Sequence, residues 1–413
     1  MSARALLLVE SNTSGTGRLF VRAAREMGFT PVLVTARPGA YAFLADEDAP
    51  EVLVVERTDE DALEPLLRAR YGADGIAGIT SSSEYFVATA AALAARFGLP
   101  GPGAAAVHAA RDKSWQRRTM ADAGLPTPAF RPAASAPEAI WAAREIGFPV
   151  VVKPVSGSGS VGVRACATAA EVGRHAAALL SRAVAAGEPR RVLVEERIDG
   201  PEFSVELFSG RVVGITRKHL GDPPCFVEAG HDYPAEVEPD VARALEEAVV
   251  RATALLGLGW GPLHWELRMR GAEAVAIEVN PRLAGGFIPE LVRHAQGIDL
   301  IRQTLRLVVG EAPELAPVRA RHASIRFLFA PGDGRLEAAD GLGAARAVPG
   351  VVDATLYRAP GDLLAVRGDF RDRIGHVIAC ADSFAGACAA AERGRGAVRV
   401  HLGGAARVPQ EVG

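Results

Sequence analysis

Short apolar runs set off by helix-spaced stretches fill the first hundred residues. ALLLV (5–9), PVLVT (31–35), VLVVE (52–56) and GIAGIT (75–80) each read as a strand. Leu19, Phe20, Ala23 and Met27 recur at helical spacing between the first two. Such alternation predicts a small parallel sheet with helices on both faces. GLPGPG near residue 100 interrupts the pattern and marks a boundary. A helix then opens at Arg111-Asp112-Lys113 and stops at Gly124, ahead of LPTP.

Further on, an apolar strand in PVVVKPVSGSGSVGVR (149–164) runs into a glycine-rich loop and out into another strand. A helix follows over about 168–186. RVLVEERIDGPEFSVELF (191–208) reads as two strands joined by a short hinge at Ile198, and RVVGITRKHL continues the sheet. Glu228 and His231 fall in CFVEAGHDYPAEV, expected to be a loop from its Gly and Pro. A helix over 240–256 leads into HWELRMRGAEAVAIEVNPRLAGGFIPE (264–290), a hairpin turning at Arg270-Gly271. LVRHAQGIDLIRQTLRLVVG is an amphipathic helical run. Residues 323–413 form another α+β unit, with an Ala-rich helix over 383–392, a final strand AVRVHL and a disordered-looking tail. No chemistry concentrates in this last unit, which is expected to serve as a cap or an oligomer surface.

At 413 residues the chain is long enough for two or three packed units. Its hydrophobic fraction of 49% and charged fraction of 23% suit a well-cored globule. A formal net charge of -3 leaves no basic surplus for an obligate nucleic-acid partner. Cys166, Cys225, Cys380 and Cys388 fall at no metal-ligand spacing. No apolar run approaches the roughly 20 residues of a membrane span. MSARALLLVESN reads as a first strand and not as a signal segment, so a cytoplasmic protein is expected.

The hairpin at 264–290 carries the densest chemistry. Side chains on a strand alternate faces, so Ala276, Glu278 and Asn280 are expected on one side. With Glu266 from the partner strand, Glu278 and Asn280 make an oxygen site suited to Mg2+. Arg282, just past the strand, is placed to hold a developing anion. Lys153 precedes a flap containing Gly157, Ser158, Gly159 and Gly162, whose backbone N–H groups could cover phosphates. The spacing is not that of a P-loop, because the lysine precedes the glycines and strands flank them. Glu195 and Glu196 lead into the Ile198 hinge, which could take a purine edge, with Glu195 accepting from the amino group. Glu202, Ser204 and Glu206 share one strand face, and Glu202 could accept from ribose hydroxyls; a solvated face has the same appearance. Arg217, Lys218 and His219 cluster at one strand end, and Lys218 joins the catalytic candidates. Gly15-x-Gly17 is a weak dinucleotide signal, since position 20 is Phe. That loop and Thr80-Ser81-Ser82-Ser83-Glu84 are expected to wall a ligand crevice, with Ser82 and Ser83 toward the substrate.

Lys113, then Lys153-Pro154 with its flap, then VEERIDGPEFSVE, then E…E-x-N-P-R, in this order, resembles an ATP-grasp enzyme over residues 1–310. The resemblance implies a multi-domain α/β and α+β fold. A Rossmann-like domain (1–105) would precede an ATP-grasp region (106–310) with a small lobe at about 125–197 and a large lobe at about 198–310. A small α+β cap (311–413) would follow. It implies ATP as cofactor, with Lys113 and Lys153 on its phosphates, Glu195 and Ile198 on adenine and Glu202 on ribose. Glu266, Glu278 and Asn280 would hold two Mg2+ or Mn2+ ions, and Arg282 would stabilise an acyl-phosphate and a tetrahedral intermediate. NPRLAGGFIPELV and FVEAGHDYPAEV are most similar to the L-amino-acid ligase branch, which makes dipeptides or related amides. There Glu228 and His231 would line the amino-acid pocket, either serving as base, and Arg282 with Gly285 would lie near the substrate carboxylate. Gly286, in place of a bulky residue, would leave room for a larger substrate. The implied partners are a small-molecule amine and carboxylate, with neither nucleic acid nor membrane; a homodimer is the commonest assembly. The rival readings are a biotin-carboxylase-like or purine-pathway ATP-grasp enzyme, and a nucleotide-binding regulator without turnover.

Overall fold

β1 (Ala5–Val9), β2 (Thr30–Thr35), β3 (Glu51–Val54) and β4 (Ile76–Thr80) pair in parallel in the order β3-β2-β1-β4. The computed structural model describes residues 4–13, 16–72, 74–185 and 190–403, so Gly15 of the first loop and the tail past 403 lie outside the described residues. β1 is buried along its whole length because helices cover both faces of this sheet. Leu7 and Val9 pack with Leu63, Leu67 and Leu93 on one side. Leu6 and Leu8 pack with Phe20, Ile301 and Leu305 on the other. The second group includes the helix Leu300–Val308, which crosses back from much later in the chain. Gly78 of β4 lets it approach: a Cβ there would lie 2.4 Å from the Val308 side chain.

β5 (Phe130–Ala133), β6 (Val150–Pro154), β7 (Arg164–Cys166) and β8 (Val192–Glu196) form an antiparallel sheet in the order β5-β8-β6-β7. Val150, Val152, Val192 and Val194 pack against the helices Ala136–Ile146 and Ala169–Ala185.

The large sheet begins with β9 (Glu202–Phe208), β10 (Arg211–Leu220), β11 (Glu228–Tyr233), β12 (Pro262–Arg270), β13 (Glu273–Asn280) and β14 (His322–Phe329). Later come β15 (Gly334–Asp340), β16 (Val351–Leu356), β17 (Leu363–Leu364), β18 (Arg373–Ala381) and β19 (Arg399–Gly403). Eight strands join in the order β13-β12-β9-β10-β11-β14-β18-β16, while β17-β15-β19 form a small separate sheet. The region 311–413 therefore supplies strands to the same sheet that carries the ATP-grasp-like motifs. Ser383 caps the last helix, accepting from the Gly386 N–H at 3.2 Å. That helix runs to Ala397, beyond the expected stop at 392, and Gly394 lets its last turn lie close against Val377.

Two expectations change here. Glu228 and His231 belong to strand β11 and not to a loop. Backbone pairing to β10 on one side and β14 on the other overrides the weak strand propensity of Gly, His and Asp. The second change is a β-bulge in the 264–290 hairpin. Glu266 pairs with Glu278, but Leu267 pairs with Ala276, leaving Ile277 unpaired. The extra residue reverses the alternation. Ala276 therefore joins Trp265, Leu267 and Val279 in the core, and only Glu278 and Asn280 share the opposite face. The buried Arg117 donates to the Ile277 carbonyl that the bulge releases. Gln116 takes Val279 with both ends of its amide, at 2.9 and 3.0 Å, and so occupies the free edge of β13.

Leu267→Ala removes a fully buried side chain opposite the bulge. It should lower the unfolding free energy by about 2–5 kcal/mol. Urea unfolding followed by tryptophan fluorescence checks this, and a negligible loss would place Leu267 off the core face.

Candidate active site

The polar face of the large sheet collects side chains from four neighbouring strands. His264, Glu266 and Arg268 of β12 stand opposite Glu206, Ser204 and Glu202 of β9, and Lys218 of β10 stands beside Glu202. Lys218 Nζ lies 2.9 Å from Glu202, 2.6 Å from Glu228 and 2.8 Å from Glu266. Burial alone would depress its pKa. The three carboxylates outweigh that and hold the ammonium well above its ordinary value. Strand alternation separates Lys218 from Arg217 and His219, which the sequence groups with it: Arg217 lies over the Phe203 ring and His219 bonds Asp232 at 2.5 Å. Glu266 also meets His264 Nε2 at 3.2 Å. Arg268 joins Glu202 at 2.9 Å and donates to the Ile198 carbonyl at 2.7 Å, which fixes the hinge to this face.

Lys113 connects the flap to this cluster. Its Nζ donates to the Gly157 carbonyl at 2.7 Å and lies 3.2 Å from Glu278 Oε1. Gly157, Gly159 and Gly162 all adopt positive φ, a backbone conformation costly for residues with a side chain, while Ser158 lies between the first two. The Asn280 amide, oriented by its surroundings, donates to Glu278 at 3.0 Å and to Glu84 at 3.1 Å. In the other amide orientation the oxygen faces Glu278 and Glu84 instead, the arrangement suited to a cation held among them. Arg282 Nε bonds Glu84 at 2.6 Å. Glu84, from the loop after β4, thus joins the first domain to the hairpin. Ser82 lines the cleft it shares with Thr16, Pro281 and Arg282, its hydroxyl tied to Ser11 at 2.8 Å. Ser83 does not line that cleft; its carbonyl accepts from the Phe86 and Val87 N–H groups at the start of the next helix.

Glu195 departs from its expected role. Its carboxylate is buried between Arg117 at 2.7 Å and Lys153 at 2.6 Å, so both oxygens are engaged away from the hinge. Burial would raise its pKa, but the two cations hold it below the ordinary range. Lys153, expected on phosphates, is held here by that carboxylate. Glu196 also turns aside, to the Ala129 N–H at 3.1 Å and Arg270 at 3.0 Å. Of the hinge candidates, Ile198 alone keeps its expected place between β8 and β9.

The pocket around β11 differs from expectation in the same concrete way. Gly286 has φ +58, and a Cβ there would lie 2.4 Å from the His231 ring. His231 therefore fills the space that the glycine was expected to leave for a larger substrate. At Gly285 the corresponding direction is open. His231 Nδ1 lies 3.1 Å from the Gly286 carbonyl, an acceptor, which places the proton on Nδ1 and leaves Nε2 bare, 3.5 Å from Glu228. Burial lowers the His231 pKa, so the ring is neutral at neutral pH. Glu228 is clasped by Lys218 and by Arg373 of β18, which accounts for a carboxyl held well below its usual range although burial opposes this. Arg373 also donates to the Glu228 carbonyl at 3.1 Å and lies 3.9 Å from the centre of the Phe327 ring.

Three family models match in series: an ATP-grasp N-terminal domain over 21–101, an ATP-grasp domain over 146–290, and L-amino acid ligase C-terminal domain 2 over 326–403. The uncharacterized protein y4rH of Sinorhizobium fredii is 40% identical over 380 residues, covering 92% of this chain and 79% of that protein. Carnosine synthase 1 of Gallus gallus is 30% identical over 325 residues, which cover 73% of this chain but 35% of that longer protein. In fold, the crystal structure of L-amino acid ligase from Bacillus licheniformis superposes with a TM-score of 0.80 at 21% identity, over 98% of this chain and 100% of that one. The chain is an ATP-grasp ligase.

Several residues of this ligase gave no readable signal in the sequence. Arg117, Arg268 and Arg373 are ordinary arginines until the fold buries each against a carboxylate or carbonyl of the site. Glu84 lay in a loop already singled out, but nothing local linked it to Arg282. Among the described residues, no three His, Cys, Asp or Glu side chains converge as a ready metal cluster. Glu266 and Glu278 are nevertheless cross-strand partners on one face, with Asn280 beside them, and this donor set fits a hard divalent ion. Lys218 and Lys113 now neutralise those two acids.

Behind the pocket, buried Asp232 accepts from Arg326 at 2.7 Å and from His219. Burial opposes ionisation, yet His219 and Arg326 hold the carboxyl below its ordinary value. A depressed carboxyl contributes stability that is complete above the unfolded value of about 3.9, begins to fall below it and is lost as pH falls through the lower folded value. Asp232→Asn should therefore cost about 3 kcal/mol at pH 7. Urea midpoints should show the gap from the unaltered protein narrowing below about pH 4; a gap independent of pH would contradict the ion pair.

Proposed function

We propose that this ATP-grasp ligase joins the carboxylate of an amino acid or other small acid to the amine of an amino acid, through an acyl-phosphate, releasing ADP and phosphate. The observation that carries the reading is the single polar sheet face on which Glu202, Lys218, Glu266, Glu278 and Asn280 meet, with Lys113 tying the flap to Glu278. In this reading the Ile198 hinge receives adenine, Glu202 the ribose, and Lys113, Lys153 and the Gly157–Gly159 backbone the phosphates. Glu266, Glu278 and Asn280 would hold Mg2+, which when bound neutralises charge on the triphosphate. Arg282, steadied by Glu84, faces the developing acyl-phosphate and then the tetrahedral oxyanion. Gly285 leaves space beside it for the substrate carboxylate.

The amine would enter at Glu228. Held ionised by Lys218 and Arg373, Glu228 is a weak base and suits attraction of an ammonium group. The bare Nε2 of neutral His231 is the better proton acceptor. The carboxylate attacks the γ-phosphorus, ADP leaves, the amine attacks the acyl carbon, and phosphate departs with the C–O bond electrons. The flap and the second lobe would exclude water, which would otherwise hydrolyse the mixed anhydride. Supporting the substrate class, residues 326–403 match the L-amino acid ligase C-terminal domain, and Carnosine synthase 1 is among the relatives.

ADP release over pairs of amino acids and small acids, with mass spectrometry of the product, tests the reading. ADP should form only when both an amine and a carboxylate are present, and Glu278→Gln should reduce turnover by on the order of a hundredfold or more. ADP formation with bicarbonate alone, or undiminished turnover in Glu278→Gln, would overturn it.

A further inference from the structure

The tip of the glycine flap is held by two segments from outside its own lobe. Ser160 Oγ donates to the Phe226 carbonyl at 2.9 Å, and the Ala165 N–H to the Pro224 carbonyl at 2.9 Å. From the other side, the Phe370 N–H donates to the Gly159 carbonyl at 3.3 Å. The Phe370 ring lies so close that a Cβ on Gly159 would be 2.4 Å from its Cδ1. Phe370 is nonetheless 41% exposed, so it contributes little to any core. Its turn is fixed from below, where the Asp372 carboxylate accepts from the N–H groups of Arg367 and Gly368, each at 2.7 Å. Two residues after Phe226 the first segment reaches Glu228, and three after Phe370 the second reaches Arg373. Glu228 and Arg373 are the two halves of one ion pair in the pocket.

We propose that Phe370 is the positioning residue for the flap, and that the Glu228–Arg373 pair ties the flap's hold to the occupancy of the amino-acid pocket. The inference rests on the reading of that pocket given above. An ammonium drawn to Glu228 alters the charge balance at the point where both flap-holding segments end. By competing with Arg373 for that carboxylate it loosens the flap, which is therefore held firmest while the acyl-phosphate awaits the amine and water must be excluded.

Hydrogen–deuterium exchange of the flap peptide, residues 155–163, tests this with Mg2+ and ATPγS as the only additions and without turnover. Phe370→Ala should speed exchange of these amides by on the order of tenfold, and Phe370→Leu, which keeps an apolar contact, should restore most of the protection. Glu228→Gln, which alters a side chain held by Lys218, His231 and Arg373, should also speed it. Unchanged flap exchange in Phe370→Ala would overturn the positioning role. Acceleration in Phe370→Ala with none in Glu228→Gln would overturn the link to the pocket. Where a productive substrate pair is in hand, Phe370→Ala should also release about threefold or more ADP per amide formed. A chain that makes no amide from any pair would refute the proposed function while leaving the exchange result interpretable.

Discussion

The alternation of side chains across the large sheet, reversed at Ile277 in the 264–290 hairpin, is the constraint on which this active site depends. A strand offers every second residue to a face. Without the bulge, Ala276 would share the face of Glu278 and Asn280, and the register that puts Trp265, Leu267 and Val279 in the core would fail. The bulge leaves a carbonyl without a ladder partner, and a buried group of that kind is costly unless it is satisfied. Arg117 satisfies it and also engages Glu195, so one buried guanidinium reaches the hairpin, the second sheet and, through Glu195, Lys153.

Charge is arranged on this face with little left unopposed. Lys218 stands among three carboxylates, Lys113 beside Glu278, Arg282 beside Glu84 and Arg373 beside Glu228. Each cation sits where a ligand charge of opposite or like sign would have to be accommodated. Binding at such a site exchanges partners between charges already desolvated, which costs less reorganisation than drawing bare charges out of water. The same logic connects the parts of the chain. The loop after β4 supplies Glu84, the β5-β8-β6-β7 sheet supplies the flap, and β18 supplies Arg373. Separate stretches of sequence thus meet through ion pairs at one place.

Much of this was legible in the residue order. The apolar runs at 5–9, 31–35 and 75–80 are strands of a parallel sheet covered on both faces, as their pattern predicts. The succession of Lys113, the glycine flap and E…E-x-N-P-R resembled the ATP-grasp family, which the matches bear out. What misled was local inference about side chains. Glu195 is next to the hinge in sequence, yet its carboxylate is engaged inward by Arg117 and Lys153. Gly286 suggested space, but the ring that fills it comes from a strand 55 residues earlier. The region 311–413 showed no concentrated chemistry, because Arg373 becomes part of a site only beside Glu228, 145 positions away.

The sequence by itself determined the periodicities, the glycines that permit positive φ at the flap, and the acids spaced to share a strand face, since each is a property of a residue and its near neighbours. The tertiary structure alone decided which charges pair, which cavity a missing side chain leaves, and where the alternation slips. Those outcomes depend on distances between residues far apart in the chain, and no local pattern encodes them. Lys218 is the plainest case: one lysine in a strand, whose meaning comes from three carboxylates on three other strands.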